Sequence, residues 1–495
     1  MLKHSQLGFT QPVNKLTLYF FSSFRRIFKL FLLLNLPFFA NHVSALSTVT
    51  SKTIQGNSPF LTFDNGVTIA DSVETFLSIT LPDGKVVTSS TDNSSMANPI
   101  NLTAEFVKFS DITTLVPFTS YPEIALSDII IKSNYWLDID GDANPNVTGG
   151  LKIKWQDSEG NDITETVKNN ANSELKGCSA PYQLTIEAAN GVLSTQYGDP
   201  RTSNFTGGKH TYYINPKIVQ PEVCNIRPNL SLEFPEANVS NGPDWKAHKG
   251  FYVMDLNKPE VNFPTTGSNN LFFDIVFVGE VPATSLVQYN GSNVYPISGS
   301  GVHLELSAPS KGVLRMYVKG PTASNSSGFS PSIFRLYKDQ AKNDLLYAFN
   351  IQRWYVAKLN GNGNYDSAVD FCNSLSGYRV PLVTDFTNSN RMNWHGGIPG
   401  VNGDYQRRIS YKQNDGSWMG GLFNEWGAVS NENTNYPGTD WDVFDAGNRG
   451  WFYGSYFWTS NKENDTYNFV VESHLGATGD QLLTDITYGV ACVTP

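Results

Sequence analysis

Four cysteines constrain this 495-residue chain more than any other feature: Cys178, Cys224, Cys372 and Cys492. They follow a stretch laid out as an export signal. Arg25, Arg26 and Lys29 form a basic region, residues 30–40 an apolar core, and Val43-Ser44-Ala45 a small-x-small cleavage site. The core is short, and Asn35 and Pro37 interrupt it, so a cleaved signal is expected in preference to a membrane anchor. An even cysteine count behind such a signal predicts two disulfides. Three pairings are possible, and the sequential one, Cys178–Cys224 and Cys372–Cys492, keeps each bond inside one expected domain. No C-x-x-C spacing or nearby histidine pair supports Zn²⁺. If the signal is cleaved, mass spectrometry of exported protein should find Leu46 at its N-terminus. An intact N-terminus on membrane-embedded material would mean an anchor.

Charge narrows the partners. The formal net charge is −10, from 35 basic and 45 acidic residues. The first 45 residues hold five basic residues and no acids, so the mature chain has 30 against 45, or −15. Nucleic acid and anionic membrane surfaces both reward lysine and arginine, so neither is an expected partner. The length suits three or four domains.

Turn-punctuated alternation predicts a mainly β fold. Thr75–Leu81 alternates before the turn Pro82-Asp83-Gly84, and Lys85–Thr88 continues. Leu151–Trp155 alternates before Ser158-Glu159-Gly160, and Tyr182–Glu187 before Asn190-Gly191. Thr211–Ile214 is another expected strand, ended by Asn215-Pro216. Strands of this spacing suit a β-sandwich. Farther on, Leu271–Val278 is almost continuously apolar, so it is expected to be buried on both faces. Val302–Leu306, Val313–Val318 and Ile333–Tyr337 follow, and the Gly/Asn run 357–365 is expected as a linker-like turn.

The C-terminal third differs. Ala368, Phe371, Cys372 and Leu375 fall at helical spacing, with Gly377 to end the helix. Tyr488-Gly489-Val490-Ala491-Cys492 suits a closing strand. A Cys372–Cys492 bond would staple this domain's beginning to its end. Seven of the ten tryptophans lie here, separated by long loops.

A loop-rich domain with an aromatic core and a terminus-to-terminus disulfide resembles the C-type-lectin-like fold. The run from Cys372 through "GYRVP" (377–381), "YFWTS" (456–460) and "VACV" (490–493) resembles the C-terminal module of the intimin/invasin adhesin family of Gram-negative bacteria. Upstream, "GVLSTQYG" followed by "GGKHTYYINPK", and "NFPTTG" followed by "VKGPTASNSS", resemble exported proteins of that family, of the ZirS/ZirU type. The resemblance spans nearly the whole mature chain. It implies tandem β-sandwich (Ig-like/invasin-like) domains at 46–221 and 222–352, then an α+β C-type-lectin-like domain at 353–495. It implies a secreted or surface-associated adhesin that recognises a host-cell or bacterial surface protein or glycan through its lectin-like tip. The family's β-barrel and peptidoglycan-binding module have no counterpart in this sequence. A second expectation is therefore an exoprotein that pairs with a cognate intimin-like outer-membrane barrel and modulates virulence. Calcium-dependent sugar binding is not carried over: there is no Glu-Pro-Asn or Gln-Pro-Asp triplet, and Trp441-Asp442-Val443 replaces Trp-Asn-Asp.

Candidate sites follow. Trp394, Trp418 and Trp441 lie among Gly, Asn, Asp and Ser, so they are candidate binding residues, with burial as the alternative; Trp426 and Trp458, inside apolar runs, are expected in the core. Arg407 and Arg408 add a basic spot to an acidic chain. Asp138, Asp140, Asp142 and Asn144 place oxygens at alternate positions around Gly141. That pattern is either an acidic turn or a weak Ca²⁺ site. No H-E-x-x-H or G-x-S-x-G constellation occurs, so an enzyme is not expected, and a secreted hydrolase has no supporting motif.

Overall fold

Alternation governs the first sheet. In the strand Gly150–Gln156, Leu151, Ile153 and Trp155 are buried while Lys152 and Lys154 face water. Tyr182–Ala188 pairs with it antiparallel, with Ile153 opposite Ile186 and Trp155 opposite Leu184. Gly208–Lys217 pairs next, and Ile100–Glu105 lies parallel to it at the edge; Glu123–Ala125 forms the other edge. The computed structural model describes residues 56–228, 240–326, 328–429, 436–441, 456–486 and 488–495, and the chain is mainly β. The export signal lies outside the described residues.

Two expectations are corrected here. Thr75–Leu81 is mostly not a strand: Glu74–Leu77 is a 3₁₀ turn, followed by the two-residue strand Ile79–Thr80. Phe76 and Leu77 are both buried, and consecutive inward side chains suit a tight turn better than a half-exposed strand. Pro216 does not end its strand. It sits at a register shift against the parallel edge, where Asn215 faces Asn101 and Lys217 faces Glu105. A bulge beside an edge is where a strand tolerates proline.

Phe272–Val278 lies inside a seven-stranded sheet, between Glu222–Pro228 and Val313–Lys319. Phe272, Phe273, Ile275 and Phe277 are buried, as the continuous apolar run predicts. Asp274 is buried among them, and Arg315 holds it bidentately at 2.7 and 3.0 Å. That geometry satisfies a charge that would otherwise be costly to bury.

The buried side chains form two clusters, one from Leu61 to Ile214 and one from Ile226 to Val493. The expected boundary at 221 falls between them, crossed by the Cys178–Cys224 disulfide (Cα–Cα 5.3 Å) and a 2.7 Å Lys246–Glu159 ion pair. The expected boundary at 352 falls inside the second cluster. The run 357–365 is not a linker, because Arg353–Gly363 is one long strand with a bulge between Ala357 and Asn362. Thr266–Ser268 runs parallel to that strand on one side, and Tyr488–Val493 antiparallel on the other.

The helix Tyr365–Ser374 buries Ala368 and Cys372, and Cys372 is bonded to Cys492 (Cα–Cα 5.4 Å). Asn364 caps it, its Oδ1 accepting from the Ser367 N–H at 2.9 Å. Gly377 adopts φ +82° in the turn beyond.

One buried acid in this sheet links stability to pH. Glu472 accepts N–H bonds from His474 (2.8 Å) and Leu475 (2.6 Å), yet burial pushes its carboxyl from 4.5 up to about 7. An acid whose pKa is raised by folding contributes stability fully below its unfolded value and loses it as pH rises through the folded one. Wild type should therefore lose stability relative to Glu472→Gln between pH 4.5 and about 7. The difference between the two proteins removes the opposing contribution of His474, whose pKa burial lowers. Parallel urea curves across that window would refute the assignment.

Candidate functional site

The sequence places a hairpin where the binding surface was expected. Tyr411–Lys412 pairs antiparallel with Trp418–Met419, Lys412 lying opposite Trp418. Asp415-Gly416 makes the turn, with Gly416 at φ +84°, a conformation that costs glycine little. The Ser417 hydroxyl (2.6 Å) and N–H (2.9 Å) both donate to Asp415 Oδ1, holding that carboxyl below its ordinary range.

Cations and rings interleave along the hairpin. The Arg353 guanidinium lies 4.1 Å from the Trp418 ring centre, and Lys412 Nζ lies 5.2 Å from it. The Arg408 guanidinium covers the Tyr411 ring at 4.5 Å. Lys412 and Tyr411 are exposed, and Arg408 and Trp418 are half-buried. Cation–π contacts of this kind contribute about 0.5–1 kcal/mol at exposed sites.

Buried polar groups hold this surface in place. Arg353, fully buried, donates to Asp385 Oδ1 (2.9 Å) and to the Gly420 carbonyl (2.8 Å). Asp385 also accepts from Arg379 Nη1 and the Leu382 N–H, each at 2.7 Å. The strand leading to the hairpin is fixed through its backbone: the Ile409 N–H donates to Asp244 (2.8 Å) and the Ser410 N–H to Glu425 (2.8 Å). Burial pushes the Asp244 carboxyl up to about 6. Glu425 is fully buried and also accepts from the N–H and hydroxyl of both Thr265 and Thr266, at 2.5–3.1 Å.

The expected site residues divide. Trp418 and Arg408 come together on the hairpin. Arg407 and Trp441 do not belong to a surface. Arg407 is buried, donating to the Glu425 carbonyl (3.0 Å) and lying over the Trp245 ring (5.0 Å), because alternate residues of a strand face opposite ways. Trp441 is 1% exposed, packed on Phe457 and bonded through Nε1 to Ser268 Oγ at 2.9 Å. Its polar neighbours in sequence misled because the indole finds its partner far along the chain. Trp394 is half-buried against Phe469. Trp426 and Trp458 are fully buried, as expected. Tyr411 and Lys412 were missed, although Asp415-Gly416 between apolar-flanked runs is a hairpin signal. Asp138, Asp142 and Asn144 line a cavity in the first cluster's region, while Asp140 is engaged by the Asn57 side chain.

No family model matches the chain, and no curated protein does. Among solved structures it is similar to invasin, a bacterial integrin-binding protein, at 13% identity over 72% of this chain and 52% of that one, with a TM-score of 0.28. The chain thus spans about half the length of that structure. It is also similar to a C-terminal 282-residue fragment of intimin in complex with the intimin-binding domain of the translocated intimin receptor, at 10% identity over 64% and 95%, TM-score 0.25. A third is an intimin mutant of EHEC O157:H7, at 10% identity over 46% and 87%, TM-score 0.21. At these scores the function rests on the chain's own residues.

Proposed function

We propose that this chain is an extracellular, adhesin-like binding protein that engages an acidic protein surface through the 411–419 hairpin. The observation that carries the proposal is the basic and aromatic strip of Arg408, Tyr411, Lys412 and Trp418, held on buried salt bridges in a chain of net charge −10. Aromatic and arginine anchors on a rigid support are what binding hot spots are made of. The two disulfides suit an oxidising compartment. The motif resemblance to the intimin/invasin family supports the same class.

The test is the double variant Arg408→Glu/Lys412→Glu, assayed for binding to cultured host cells and for pull-down of bacterial envelope proteins. Its melting temperature should match wild type, because both charges reach solvent. Binding should fall by at least about 30-fold, the equivalent of 2 kcal/mol. Wild-type binding should also weaken with added salt. Loss of envelope pull-down alone would favour the barrel-pairing exoprotein, and competition by a free sugar would favour a glycan. Unchanged binding in both assays would refute the hairpin as the contact surface. Trp418→Ala is the poorer test, because the ring covers buried Arg353 and its removal should also destabilise the fold.

A further inference from the structure

A second site lies far from the hairpin in sequence, where the acidic loop 138–144 meets a cavity of about 490 Å³. Asp138 is 8% exposed. Its Oδ1 accepts from the N–H groups of Asp140 (2.9 Å) and Asp142 (3.4 Å), which folds the loop around the carboxylate. Its Oδ2 is sealed from solvent and has no hydrogen-bond partner. No Lys, Arg or His among the described residues forms an ion pair with Asp138, Asp140 or Asp142. A buried carboxylate oxygen with neither donor nor cation is costly. Asp142 lines the same cavity, with Asn65 and Asn144. Asn144 gives its amide nitrogen to Gln196 Oε1, so that bond does not use its carbonyl oxygen. Gly198 leaves room for the second acid: Asp142 Oδ2 stands 2.7 Å from where a β-carbon would be.

We propose that this loop binds Ca²⁺ through Asp138 Oδ2, with the remaining ligands drawn from Asp142, the amide oxygens and water. A small ion fits a sealed oxygen, whereas a lysine or arginine entering from solvent does not reach it. An all-oxygen set of mixed charge suits Ca²⁺ better than Mg²⁺, which demands a near-ideal octahedron. Among the described residues no three carboxylate, imidazole or thiol side chains converge. The shell is therefore largely neutral, which places the affinity in the weak extracellular range of about 10⁻⁴–10⁻³ M.

The test uses the full mature chain with Ca²⁺, Mg²⁺ and Tb³⁺ as probes. Trp136 lines the cavity, so exciting it should sensitise Tb³⁺ emission, and Ca²⁺ should quench that emission by displacement. Ca²⁺ should also raise the melting temperature with the logarithm of its free concentration, and EDTA should reverse the rise. Asp138→Asn keeps the Oδ1 acceptor and should weaken Ca²⁺ by more than about tenfold, the loss that even an outer-shell partner's removal brings. Should that variant fail to fold, Asp142→Asn carries the same expectation. Trp136→Phe should lose the emission and keep the thermal shift. Absence of any Ca²⁺ effect at millimolar levels would mean that a buried water satisfies Oδ2, and the proposal fails. An equal response to Mg²⁺, full binding by both aspartate variants, or stabilisation by an alkylammonium ion but not by Ca²⁺ would also overturn it.

Discussion

Glu425→Ala is expected to destabilise the protein by at least about 3–5 kcal/mol, the range for breaking a buried, fully bonded charge. The carboxylate gathers five donors: the N–H and hydroxyl of Thr265, the same pair of Thr266, and the Ser410 N–H. Alanine leaves all five inside the protein without an acceptor, and each unsatisfied group costs about 1–3 kcal/mol before the structure relaxes. The donors lie on either side of residue 352, so the loss should not stay local. Hydrogen exchange at 265–268 and at 407–410 should accelerate together, alongside a lower urea midpoint. A loss below about 1 kcal/mol, or protection retained on one side, would show that the parallel pairing of Thr266–Ser268 with Arg353–Gly363 suffices without the carboxylate.

The second large effect is expected from Cys372→Ser/Cys492→Ser. The bond joins positions 120 apart, against 46 for Cys178–Cys224. Loop-closure entropy assigns about 5 kcal/mol to the longer loop and about 4 kcal/mol to the shorter. The longer bond is also the more deeply buried: Cys372 and Cys492 are 1% and 0% exposed. Serine there adds the cost of placing a hydroxyl in an apolar core. The order of melting temperatures should be wild type, then the 178/224 pair, then the 372/492 pair. A reversed order would mean that the Cys178–Cys224 bond carries more of the stability than its loop length predicts.

Local patterns in the sequence were enough for most strands, and insufficient for what joins them. Leu151–Trp155, Tyr182–Glu187 and Leu271–Val278 are strands because alternation, or its absence, states how many faces are buried. The sequential disulfide pairing also forms. The run 357–363 misled because glycine and asparagine signal turns, yet partners on both sides hold it extended. Glu425 and Arg353 carried a weaker signal, a lone charge beside aromatic residues in "FNEW" and "RWYV". Their partners lie 160 and 32 residues away, which no local pattern encodes. The candidate surface was half legible. Arg408 and Trp418 face outward with the hairpin, whereas Arg407 and Trp441 answer to contacts with Trp245, Glu425 and Ser268.

The Cys372–Cys492 bond also decides what a protease can do to this molecule. A single cut anywhere between those two positions opens the chain without dividing it, because the two pieces remain one covalent species. The hairpin at 411–419 lies inside that ring. Release of the binding surface from the rest of the protein then requires two cuts or a reductant, so a nicked molecule in an oxidising medium still carries its contact residues with it.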